Sequence, residues 1–114
     1  MDDIDLIEMV NLPQADTGVQ GIIYISSAQG QHGPRIKWFP RPPASRNDPC
    51  LSVSVGPDPD VRNLNLPPHI ASQATNAVRN WVIANHAALR DFWDNGYAWT
   101  RQQVNTFIDG LTKI

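Results

Sequence analysis

His32, Arg35 and Lys37 fall within one short stretch, and together they are the side chains best equipped for chemistry. An imidazole that titrates near neutrality can move a proton, and two neighbouring cations can stabilise charge developing on a phosphate. Arg41 and Arg46 extend the positive run, and Trp38 or Phe39 offers an aromatic face on which a base could stack. Such a set would serve an RNA-binding protein or a small ribonuclease. The plainer reading is a loop histidine followed by solvated strand cations. It carries more weight, because catalysis needs a second proton-transfer group and none is identifiable.

Other chemistry finds less support. His32, His69, His86 and Cys50 stand far apart in the chain, none at metal-ligand spacing from another, so no metal site is expected. The sequence has no Gly-x-Ser-x-Gly elbow, no phosphate loop and no dinucleotide fingerprint, and no cofactor is expected. Cys50, directly after Pro49, reads as a small buried residue rather than a reactive thiol.

A second constellation points to contact rather than catalysis. At about 100° per residue, Arg79, Ile83, His86 and Arg90 share one side of a helix, with Trp93 at its border. An apolar centre with a cationic rim and an aromatic anchor is the composition of a protein-binding patch. The alternative is a solvated helix face with one exposed isoleucine.

These groups need a scaffold, and the pattern supplies one. Ile70, Ala74, Ala77, Val78, Trp81, Asn85, Ala88, Leu89, Phe92 and Trp93 recur at three-and-four spacing, which predicts an amphipathic helix over 67–95. Asn85 alone interrupts its apolar stripe. Pro67 and Pro68 punctuate the start, and Asn95-Gly96 the stop. Thr100 and Gln103 form a capping box for a second, shorter helix with Val104, Phe107, Ile108 and Leu111 on one face. Tyr97 and Trp99 are expected to plug the gap between the two helices.

Upstream, the β-branched run 19–27 and the alternating run 35–39 predict a β-hairpin with a long connection. Ile36 and Trp38 would face one way, and Arg35, Lys37 and Phe39 the other. The prolines of 40–49 make a stiff loop. Residues 50–55 predict a half-buried strand with Ser52 and Ser54 toward water or a partner. Residues 4–10 are ambiguous between strand and helical turn, and 61–66 reads as a connector. The expected fold class is α+β: a small antiparallel sheet of three to four strands packed against one long and one short C-terminal helix. One domain is expected over 1–114, mainly β over 1–60 and mainly α over 61–114.

The chain has 114 residues, a net charge of −2 and a single cysteine. It is no global polycation, and one cysteine makes no intrachain disulfide. The acidic start, without a run of bases or a long apolar segment, predicts a cytoplasmic protein with no membrane association.

The segment Trp81-Val82-Ile83-Ala84-Asn85-His86-Ala87-Ala88-Leu89-Arg90-Asp91-Phe92-Trp93 and the hairpin Gln31-His32-Gly33-Pro34-Arg35-Ile36-Lys37 together resemble a family of small bacterial proteins classed as a domain of unknown function. Its members pair a β-hairpin with a terminal helix carrying tryptophan, leucine and tryptophan at the intervals of Trp81, Leu89 and Trp93. Many are encoded beside toxin–antitoxin genes. The family's hairpin reads Asn-x-Pro-Pro-His-x-His. Here Arg35 and Lys37 replace its two histidines, and Asn85 stands where a helix histidine often lies. The resemblance implies a small accessory protein of a toxin–antitoxin or defence neighbourhood. The expected function is thus a non-catalytic protein-binding module, antitoxin-like or regulatory, with a protein as partner. Nucleic acid bound at the basic hairpin and self-association through a sheet edge are the alternatives.

Overall fold

Alternation along the chain builds a sheet, and its apolar side is roofed by helix. The computed structural model describes residues 9–26, 33–43, 45 and 47–114. His32, Arg46 and most of the ambiguous stretch 4–10 lie outside them. The strands β1 (Met9–Leu12), β2 (Ile22–Ser26), β3 (Arg35–Phe39), β4 (Cys50–Ser54) and β5 (Val61–Leu64) form one antiparallel meander in the order β1-β2-β3-β4-β5. A one-turn helix, α1 (Gln14–Thr17), separates β1 from β2. The long helix α2 (Pro68–Asn95), a 3-10 turn (Gly96–Ala98) and the short helix α3 (Arg101–Asp109) follow.

The fold is α+β, but the sheet has five strands where three to four were expected. The extra ones are β1 and β5. Residues 61–64 lack apolar alternation, and three of the four are exposed. They become a strand through bonds made elsewhere: Ser54 donates its amide to the Asp60 carbonyl at 3.0 Å, and the Asp60 amide donates to Ser54 Oγ at 2.7 Å. Pairing with β4 supplies what local propensity does not. Likewise β2 begins at Ile22 rather than at Val19. Gly21 sits at φ 98°, and a Cβ there would lie 2.5 Å from the Phe39 carbonyl oxygen and 2.7 Å from the Trp38 indole nitrogen. Only glycine fits that bend.

Side chains alternate as the sequence predicts. Ile23, Ile25, Ile36, Trp38, Leu51 and Val53 face the helices and join one core with Val78, Trp81, Val82, Leu89 and Phe92 of α2. Trp38 donates its indole N–H to the Gln20 carbonyl at 2.7 Å. Leu111, beyond α3, closes the same core.

The short helix is locally well specified. Gln103 donates its amide to Thr100 Oγ1 at 3.2 Å, and the Thr100 amide donates to Gln103 Oε1 at 2.8 Å, completing the capping box. Thr100→Ala is expected to lower stability by about 1 kcal/mol, seen as a fall of about 4 °C in the thermal midpoint. An unchanged midpoint would place α3 outside the cooperative unit.

Candidate functional site

Of the basic hairpin residues, Arg35, Lys37 and Arg41 lie among the described residues, and His32 and Arg46 lie outside them. Arg35 and Lys37 do share the sheet face turned away from the helices. The Arg35 guanidinium is held in place: Nε donates to Ser52 Oγ at 2.7 Å, and Nη2 donates to the Ser52 carbonyl at 3.0 Å. Nη2 also lies 3.5 Å from Oδ2 of Asp60. Ser52, expected to face water or a partner, is buried beneath this arginine. Lys37 makes no ion pair among the described residues. Arg41 is exposed in the loop after β3. Neither aromatic proposed for base stacking is open to a base. Trp38 is buried in the core, and Phe39, on the opposite face, is 3% exposed.

Cys50 lies on the same outer face and is also buried. Burial raises the pKa of its thiol, and the nearby Lys37 charge offsets that in part. Among the described residues, no group of three histidine, cysteine or acidic side chains could hold a metal ion. No helix among them is long and apolar enough to cross a membrane.

The helix stripe exists as drawn, with its charges already engaged. Arg79 Nη2 donates to Asp58 Oδ1 at 2.6 Å, and its Nε donates to the Pro59 carbonyl at 3.3 Å. Arg90 Nε pairs with Asp94 Oδ2 at 3.1 Å, one turn further along. Ile83, His86 and Trp93 are each half-buried. Both arginines of this patch are thus ion-paired at the surface, and its apolar centre is partly covered.

Around the other side of α2 lies a feature that the sequence did not single out as a site. Phe92, Trp99 and Phe107 form a closed aromatic triad, with ring centroids 5.1 Å apart for Phe92–Phe107, 5.6 Å for Trp99–Phe107 and 5.8 Å for Phe92–Trp99. Trp99 and Phe107 floor an open groove of about 560 Å³ between α2 and α3, with Ala88, Asp91, Gln103 and Thr106 along its walls, and Phe92 lies buried behind them. Trp99 does fill the gap between the helices as expected. Tyr97 does not: it stands 62% exposed beside it. No residue of α3 is fully buried, and Val104, Phe107 and Ile108 are half-covered. The sequence signal was present in the aromatic run around Gly96, yet only the docking of α3 decides which rings remain open.

Comparison with known proteins gives no match to a family model, to a curated protein or to a solved structure.

Proposed function

We propose that this chain is a non-catalytic protein-binding module, antitoxin-like or regulatory, that receives its partner in the groove between α2 and α3. The observation that carries this reading is the half-covered face of α3 over the Phe92–Trp99–Phe107 triad. The capping box satisfies the first turn of α3, and its apolar stripe is left half open. Aromatic anchors within a rim of Gln103, Thr106 and Asp91 match the anatomy of contact hot spots. The fitting partner segment inserts an apolar side chain onto the rings and sets a basic group against Asp91. Counting about 100° per residue, Ala88 in the groove lies on the flank of α2 opposite the stripe Arg79, Ile83, His86, Arg90 and Trp93. That stripe offers a second, more polar contact to the same partner. The resemblance of the α2 segment to a toxin–antitoxin-associated family is in keeping with such an accessory role.

The test is capture of partners from nuclease-treated host lysate by the wild-type chain and by Thr106→Arg. Thr106 is exposed on the groove wall, so the arginine blocks the groove without entering the core. A stoichiometric protein is expected with the wild-type chain and is expected to be lost with the variant. Loss with Ile83→Ala or Arg90→Ala and retention with Thr106→Arg would move the contact to the stripe. Absence of any partner would refute the module.

A further inference from the structure

The helices cover one face of the sheet, and the other face has a chemistry of its own. Its register places Asn11 opposite Tyr24, Tyr24 opposite Lys37, Lys37 opposite Ser52, and Ser52 opposite Arg62. One row of hydrogen-bonding side chains thus crosses all five strands at about 4.8 Å per strand. Arg35 stands in the next register position of β3 and leans onto Ser52. Arg62 Nε pairs with Asp60 Oδ2 at 3.1 Å, so a single carboxylate serves both arginines. Among the described residues, three cations, Arg35, Lys37 and Arg62, share this face with one paired acid, Asp60, on a chain whose net charge is −2.

We infer that this outer face binds single-stranded RNA, with Lys37, Arg62 and Arg35 on successive phosphates and Tyr24 beneath a base. The inference is independent of the protein-binding groove, which lies at the helical end of the molecule. Charge selects a polyanion, because the positive potential is local and surrounded by an acidic chain. The aromatic selects nucleic acid over an acidic peptide. Tyr24 is half-exposed in the row beside Lys37, and Phe39 holds its ring edge-on, with centroids 5.5 Å apart and planes at 76°. Phe39 is thus the buttress, and Tyr24 the stacking platform that Trp38 and Phe39 had been expected to supply. Arg35 is fixed by its two bonds to Ser52, so ordering it on binding costs little side-chain entropy. Lys37, with no ion pair among the described residues, need break none to meet a phosphate.

The experiment is fluorescence anisotropy of a short labelled oligouridine with the full chain, titrated across salt. Three phosphate contacts predict a slope of log affinity against log salt of about −2, since each contact on a single strand contributes about 0.7. Lys37→Gln or Arg62→Gln is expected to reduce the slope by about 0.7 each. Tyr24→Leu is expected to weaken binding about tenfold and leave the slope unchanged. Arg62 is 67% exposed, so its variant tests the contact even if a change at Lys37 disturbs the sheet. Absence of binding at low salt, or a slope indifferent to both cation variants, would overturn the inference. So would poly-glutamate competing equally per charge, which would show an acidic-peptide surface instead.

Discussion

Replacing Trp81 by alanine is expected to lower the free energy of unfolding by about 3–5 kcal/mol. Trp81 is fully buried at the centre of α2, among the same apolar residues that line the sheet, and it is the largest of the completely enclosed side chains. Its removal leaves a cavity that the rigid sheet cannot close. A domain of this size holds about 5–15 kcal/mol in total, so the variant sits near the edge of folding. The indole adds a second effect. Its Nε1–H is buried without a hydrogen-bond partner among the described residues. An unmet donor costs about 1–3 kcal/mol, so a ring that lacks it recovers part of what its smaller volume loses. Trp81→Phe is therefore expected to be far milder than Trp81→Ala. Urea unfolding of both variants measures the difference. Equal losses would show that the indole N–H contributes a bond of its own. In either case Trp81 reports on stability, and loss of partner binding in its variants carries no information about the contact surface.

The fold was legible where a pattern is local and illegible where a bond is distant. The helix α2 announces itself by apolar spacing and by Pro67, Pro68 and Asn95-Gly96, and its observed limits differ from the expected range by one residue. Strands β2, β3 and β4 show through their alternating β-branched residues. Strand β5 does not, because Val61-Arg62-Asn63-Leu64 is strand only through its partner β4 and through turns such as the Leu66 amide donating to Asn63 Oδ1 at 2.8 Å. The candidate sites divide the same way. The angular position of Arg79 on its helix follows from counting, but its carboxylate, Asp58, comes from the loop between β4 and β5. Lys37 and Arg62 lie far apart in sequence, and only the strand register brings them into one row with Tyr24. A slip of one residue would send each to the opposite face. The groove escaped notice for a related reason: Tyr97, Trp99 and Phe107 are visible as aromatics, but their exposure depends on how α3 docks.

Asn85, the one polar interruption of the α2 stripe, is expected to give the sharpest pH-dependent effect when changed to aspartate. It is 4% exposed. Its Nδ2 donates to the Trp81 carbonyl at 2.9 Å and to the Thr112 carbonyl at 3.0 Å, while its Oδ1 accepts from the Thr112 amide at 2.7 Å. One side chain thus grips both polar groups of Thr112. Two residues on, the Ile114 amide donates to the Thr17 carbonyl at 3.0 Å, against Gly18, where any Cβ would collide with the Ile114 carbonyl oxygen. Asn85 therefore anchors the segment after α3 across α2 to the start of the sheet. Asn85→Leu fills the space but leaves the Thr112 amide and carbonyl without their side-chain partner, an expected loss of about 2–4 kcal/mol. Asn85→Asp keeps the shape and loses the donors. Once ionised, it would press a carboxylate against two carbonyl oxygens in a buried place. Both burial and those oxygens disfavour its charged form, so its pKa in the folded state lies above the unfolded value of about 3.9. The folded protein then holds the proton more tightly. The variant's stability is greatest below about pH 4 and is lost as pH rises through the folded pKa. Urea midpoints of wild type and Asn85→Asp, compared from about pH 4 to pH 7, should therefore separate steadily as pH increases. A gap that stays constant with pH would mean that the carboxylate ionises alike in both states, and that the segment around Thr112 has moved away from it.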